Sequence, residues 1–157
     1  MLHCGAAASN GMKKNKKNHI SVRFFKPKLE GPPHWRNAII SYAPKLYIGQ
    51  IFMRKAGHKG GFQKHHLKNE TSYIVSGKVL FRYDKGDGKV SEKILKSGYS
   101  VHIPPGSVHQ VEALTDSVIF EVSTPHFNDR ARIEEKYGLK ADGEAPPSTT
   151  IDEVVFK

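Results

Sequence analysis

Gln63, His65, Glu70 and His109 are the residues of this chain whose types and spacing can do metal chemistry. They lie in two glycine-bounded stretches, Gly57-His58-Lys59-Gly60-Gly61-Phe62-Gln63-Lys64-His65-His66-Leu67-Lys68-Asn69-Glu70 and Gly98-Tyr99-Ser100-Val101-His102-Ile103-Pro104-Pro105-Gly106-Ser107-Val108-His109. On a strand, residues two apart project from one face, so Gln63 and His65 can reach one ion together. Glu70 can return from the adjoining segment, and His109 can supply a fourth donor. His66 faces the other side in this register. Were His66 the ligand, its partner position would hold Lys64, whose ammonium has no lone pair to give. Two imidazoles, a carboxylate and an amide oxygen form a borderline site suited to Zn, Fe(II), Mn or Ni. Open positions on such an ion can polarise a carbonyl or activate water. His58 and His102 are read as surface or supporting groups.

The elements that must position these donors are strands. Gly and Pro punctuate the middle of the chain at short intervals, and the segments between them alternate rather than repeat at helical spacing. Leu46 to Arg54 reads as a strand, and Thr71 to Tyr83 as strand segments interrupted at Gly77. Asp84-Lys85-Gly86-Asp87-Gly88 reads as a hairpin loop, followed by strands over Lys89 to Leu95, Tyr99 to Ile103, Val108 to Leu114 and Ser117 to Ser123. Period-2 alternation puts Val118, Phe120 and Val122 on one face of the last. Tyr73, Phe81 and Phe120 read as core. Asn128 or Asp129 can cap a short helix running to about Tyr137, with Gly138 at its end and Ile133 and Tyr137 packing one face on the barrel. Residues 1–28 read as a basic arm or leader, 29–140 as one all-β domain, and 141–157, with Pro146 and Pro147, as a tail.

At 157 residues and 38% hydrophobic content, the chain has the composition of one globular domain, and no apolar run approaches the length of a membrane span. Met1 to Asn10 lacks the pattern of a secretory signal, and residues 1–17 can be native or vector-derived. The single cysteine, Cys4, excludes an intramolecular disulfide and a cysteine-rich zinc site, which suits a cytoplasmic setting. The formal charge of +10 is concentrated. Lys13, Lys14, Lys16, Lys17, Arg23, Lys26 and Lys28 precede the first acid, Glu30, and the remainder is close to balanced. Without a helix-turn-helix, zinc finger or aromatic RNA motif, the arm reads as solvated and nucleic acid is not the expected partner.

The two stretches resemble the motifs of the cupin family, G-x5-[HQ]-x-H-x3or4-E-x6-G and G-x5-P-x-G-x2-H. Every key position is met from Gly57 to Gly77 and from Gly98 to His109, although Ala113 stands where the second motif runs on to asparagine. The resemblance implies an all-β jelly roll, the double-stranded β-helix, with a short C-terminal helix. It also implies one divalent metal on Gln63, His65, Glu70 and His109, and commonly a homodimer. Gln63 to Glu70 is similar to the Q-x-H-H-x-R-x-E stretch of type II phosphomannose isomerase cupin domains. Asn128 to Gly138 is similar to their D-D-x-x-R-x-E-D-x-Y-G-R ending. That similarity implies an aldose-ketose isomerase or related enzyme acting on a sugar phosphate or nucleotide sugar. Lys68, Arg130, Arg132 and Lys136 would then bind the anionic end, and Lys68 and Arg132 would assist catalysis. Lys68 replaces an arginine, losing the bidentate fork that suits phosphate, and Leu139 replaces the last arginine. An Fe(II)-dependent dioxygenase and a non-catalytic sugar-binding cupin are the alternatives.

Overall fold

A computed structural model describes residue 22, residues 24–141 and residues 146–156. The lysines at positions 13 to 17 and residues 142–145 of the tail lie outside the described residues. Chain reversal is enforced where the glycines stand. Gly77 has φ of +86°, and a Cβ there would overlap Ser117 Oγ and the Asp116 carbonyl, so the turn tolerates only glycine. It joins β4 (Glu70–Ser76) to β5 (Lys78–Asp84). The other strands are β1 (Trp35–Ala43), β2 (Tyr47–Arg54), β3 (Gln63–Lys64), β6 (Val90–Lys96), β7 (Ser100–Ile103), β8 (His109–Ala113), β9 (Ser117–Ser123) and β10 (Ala131–Arg132). They form two five-stranded sheets, in the orders β1-β2-β9-β4-β7 and β10-β3-β8-β5-β6. All pairings are antiparallel, as the jelly-roll expectation requires.

The space between the sheets changes character along the strands. At one end Ile74, Val79, Phe81, Leu95, Ile103 and Ile119 make the apolar core, with Phe52, Tyr83, Val101 and Val111 packed against it. Two residues further along β9 and four along β4, the inward positions are taken by Glu121 and Glu70, and a cavity replaces the core. The inner face of β9 carries Ser117, Ile119, Glu121 and Ser123, all buried, while Val122 on the opposite face is 43% exposed. Hydrophobic alternation in Val118, Phe120 and Val122 thus marks the outer face. Tyr73, expected in the core, is likewise 42% exposed.

Two further expectations need correction. The short C-terminal helix is a single 3-10 turn, Glu135–Tyr137, closed by Gly138 in the left-handed conformation, and Ala131 and Arg132 are strand residues paired with β3. Asp129 cannot cap a helix because its carboxylate is occupied by the loop after β3. Tyr137 still packs inward, its ring edge-on to the buried Phe62 with centroids 5.1 Å apart and its hydroxyl donating to Asp84. Strand β1 had no clear sequence signal, because a bulge between Ile39 and Ser41 breaks its alternation. Residues 146–156 run back along the 126–132 segment: the Thr149 N–H donates to the Arg130 carbonyl at 2.9 Å, and Phe156 stacks on His126 at 4.7 Å.

Candidate metal centre

Four elements deliver the donors to one end of the sheets. Gln63 opens β3 and pairs with His109, the first residue of β8; Glu70 opens β4. The loop from His65 to Glu70 has no ladder of its own, so its backbone donors need another acceptor. Asp129 supplies it. One carboxylate oxygen accepts the His66 N–H at 2.8 Å, and the other accepts those of Leu67 and Lys68 at 2.6 Å each. Burial would push the Asp129 carboxyl up, but these three amides hold it below the usual range. The Pro-Pro-Gly turn is tied in as well: Gly106, with φ of +81°, donates its N–H to the His65 carbonyl at 2.7 Å.

The imidazoles are fixed in one tautomer by the backbone. His65 Nδ1 donates to the Asp129 carbonyl, and His109 Nδ1 to the Ser107 carbonyl at 3.1 Å. A carbonyl can only accept, so each Nδ1 carries the proton and each Nε2 of the neutral ring presents a lone pair. Both Nε2 atoms face Glu70 Oε1, at 3.6 Å from His65 and 3.3 Å from His109. Burial, only partly opposed by Glu70, pulls His65 down to about 4, so it is neutral at ordinary pH. In that tautomer two imidazole lone pairs and a carboxylate oxygen converge. That is an arrangement a cation would relieve, and His65, Glu70 and His109, all buried, could hold one, their donor atoms lying within 4.8 Å of one another. Gln63 adjoins them with its Nε2 3.5 Å from His65 Nε2; its oxygen would reach the same point after rotation of the amide.

The second oxygen of Glu70 is already engaged. Lys68 Nζ lies 2.9 Å from Glu70 Oε2 and 2.7 Å from Glu121 Oε1, and all three side chains are buried. Burial would lower the Lys68 ammonium, but Glu121 and Glu70 outweigh it and hold it above the usual range. Burial would raise Glu70, and the Lys68 ammonium leads the interactions that overcome it and hold the carboxyl down. At Glu121 burial wins over Lys68 and the carboxyl is pushed up; it also accepts from Ser123 Oγ at 3.1 Å. One lysine is thus shared between two buried carboxyl groups beside the imidazoles.

A cavity of about 700 Å³ opens from this cluster, lined by Gln63, His65, Lys68, Glu70, His109, Glu121 and Arg130 and, further on, by Gln50, Phe52 and Arg54. Of the basic residues expected at the anionic end of a substrate, Lys68 and Arg130 reach this cavity. Arg132 does not line it and pairs with Glu134, and Lys136 is exposed on the 3-10 turn. His66 turns away, its Nε2 bonded to the Thr149 carbonyl at 2.9 Å, and His102 bonds Asn69 at 2.8 Å. His58 lies against the rings of His34 and Trp35. Sequence reasoning passed over Glu121, Arg54 and the acceptor role of Asp129. The available signal for Glu121 was a lone charge inside Ser-Val-Ile-Phe-Glu-Val-Ser, an otherwise uncharged strand.

Residues 50–124 match the Cupin domain family model. With two facing antiparallel sheets and the donors gathered at their mouth, the architecture follows. The fold is that of a cupin. Solved cupin-like structures agree with it. KdgF from Halomonas sp. superposes with a TM-score of 0.53 at 17% identity, covering 61% of this chain and 85% of its own. An RmlC-like cupin from Shewanella frigidimarina gives 0.54 at 17% identity, over 62% of this chain and 83% of its own. The capsular polysaccharide assembling protein CapF from Staphylococcus aureus gives 0.54 at 25% identity over 64% of this chain, but the match spans only 30% of CapF. No curated protein matches the sequence. No helix among the described residues is long and apolar enough to cross a membrane.

Proposed function

We propose that this cupin holds one divalent metal on His65, Glu70 and His109, with Gln63 beside them, and acts on a sugar phosphate or nucleotide sugar as an aldose-ketose isomerase does. The observation that carries the reading is the convergence of two tautomer-fixed Nε2 lone pairs on Glu70 Oε1 at the wall of the cavity. When bound, the ion would supply Lewis-acid polarisation to a carbonyl and its neighbouring hydroxyl. The chain's own groups do the rest. Lys68 holds Glu70 Oε2, leaving Oε1 turned toward the imidazoles, and as a cation it cannot act as a base. Glu121, across the same ammonium and on the cavity wall, is the group placed to take a proton from one carbon and return it to the next. Arg130, which also lines the cavity, would bind an anionic group near the metal. Arg132 would act through Glu134, whose carboxylate accepts the Phe62 N–H next to Gln63. A homodimer in the cytoplasm completes the proposal.

The test is metal analysis of the purified protein, followed by a thermal-shift and turnover screen of sugar phosphates and nucleotide sugars. One metal per chain with interconversion of an aldose and a ketose is the expected result. Oxygen uptake with Fe(II) would move the reading to a dioxygenase, and tight sugar binding without turnover to a binding protein. Light scattering after size exclusion gives the oligomeric state.

A further inference from the structure

The wall of the cavity away from the metal centre contains a cation, Arg54, that makes no ion pair among the described residues, Glu121 being the acid whose charge reaches it. On β2, Ile48, Gln50, Phe52 and Arg54 face inward and pair with Ser123, Glu121, Ile119 and Ser117 of β9, so Arg54 stands six residues along from the level of Glu70. Its guanidinium folds back over the Phe52 ring, 4.8 Å from the centroid, and 5.8 Å from that of Trp35. Nη1 donates to Asn37 Oδ1 at 2.7 Å and to the carbonyls of Arg36 and Met53 at 3.1 Å each. These three bonds fix its direction and use one nitrogen. Among the described residues, Nε and Nη2 have no hydrogen-bond partner and Arg54 has no ion pair, although burial already pulls its ionisation down to about 10. A half-buried guanidinium that is aimed, stacked and outside any ion pair is built for an anion that arrives from outside.

Arg130 is in the same state at the other end. It lines the cavity, makes one side-chain bond, to the Phe127 carbonyl at 3.4 Å, and has no carboxylate partner among the described residues. Between the two arginines the wall is mixed, with Gln50, Ser72 and Glu121 presenting amide, hydroxyl and carboxyl groups beside the apolar Phe52 and Ile119. A few polar groups on an otherwise apolar wall fix a ligand's orientation, and amide, hydroxyl and carboxyl groups can do so by hydrogen-bonding a ligand's hydroxyls. Resting on the proposed metal reading, we infer that the natural ligand is an open polyhydroxy chain whose far anionic group sits in the fork of Arg54 against Phe52 and Asn37, its reacting end, for which a carboxylate is a stand-in, lying beside the metal and Arg130.

Calorimetric titration of the metal-loaded protein with gluconate 6-phosphate, gluconate and inorganic phosphate tests this. Gluconate 6-phosphate should bind at least tenfold tighter than either of the others. Arg54→Gln should erase that preference while leaving gluconate affinity and metal content unchanged, and Arg130→Gln should weaken both sugar acids. Equal affinity of the wild type for the two sugar acids, or a preference surviving in Arg54→Gln, would overturn the inference. If Arg54→Gln does not fold, Arg54→Lys decides: losing the bidentate fork must reduce the preference threefold or more, and an unchanged preference overturns the assignment. Metal content separates the two readings. An Arg54-dependent preference in a wild type that takes up no metal would remove the metal centre and keep the anion site, and a metal-loaded protein without the preference would do the reverse.

Discussion

Replacing Asp129 by asparagine should loosen the metal centre without touching a donor. The buried carboxylate accepts three backbone N–H groups from consecutive residues, His66, Leu67 and Lys68. In Asp129→Asn the amide nitrogen takes the place of one oxygen, so at least one of these amides faces another donor, and the remainder lose their charge assistance. Hydrogen bonds to charged groups contribute about 1.5–3 kcal/mol each, and the expected loss of stability is about 3 kcal/mol. Urea unfolding followed by the fluorescence of Trp35, the single tryptophan, reads it directly. Because the folded-state ionisation of Asp129 lies below its unfolded value, its contribution is complete above the unfolded value, about 4, and fades as pH falls through the folded one. The wild-type and variant curves should therefore differ at pH 7 and converge toward pH 2–3, roughly. The Asp129 backbone carbonyl, which the variant keeps, orients the His65 ring; loosening the loop displaces it, and disturbing such an outer partner weakens metal binding roughly 10- to 100-fold. A variant within 1 kcal/mol of wild type at pH 7, roughly the size of one ordinary hydrogen bond, with unchanged metal affinity, would refute the account of the loop.

Glu70→Ala and His109→Ala should each remove most of the bound metal, measured by elemental analysis, because either change leaves two of three clustered donors. Gln63→His should bind Zn or Ni more tightly and turn over more slowly, imidazole nitrogen being the stronger donor; equal or faster turnover with tighter metal would count against a functional choice of glutamine. The metal-free protein should lose stability as pH falls from 6.5 to about 4, since the unfolded chain takes up the proton that buried His65 refuses. That loss is about 3 kcal/mol, and His65→Gln should flatten this part of the curve. Gly77→Ala should cost more than about 2 kcal/mol in urea unfolding, through both its positive φ and the clash with Ser117 and Asp116.

The parts of this fold that were legible in the sequence are those set by local geometry. Strand spacing puts residues two apart on one face, and turns such as Gly77 demand a residue without a Cβ, so the motif spacing is a record of short-range constraints. Where a second segment decides the outcome, the sequence misleads. Asp129 has the chemistry of a helix cap, yet the loop 61 to 63 residues upstream offers its carboxylate three amides and takes it. Lys68 reads as a basic residue free for phosphate, and only folding brings Glu121, 53 residues away, to its ammonium. Arg54 is invisible for the opposite reason: what distinguishes it is the absence of a partner, and an absence of pairing has no local pattern.

These placements together order the events in the cavity. Lys68 is enclosed by Glu70 and Glu121 and has little charge left to offer a ligand. The field an incoming anion meets is therefore set by Arg54 and Arg130 against the Glu70 carboxylate beside the imidazoles. In the metal-free protein that carboxylate opposes an acidic group at the Arg130 end, whereas a divalent ion on the proposed site reverses the local sign. Coulomb attraction in a partly desolvated cavity is several times stronger than in water, so the reversal matters most for the group nearest the metal. The Arg54 end, at the far side of the wall, feels it least. Chelating the metal should accordingly weaken gluconate far more than inorganic phosphate. Equal weakening of the two would mean that the cavity acts as one electrostatic unit and that the two ends are not separate sites.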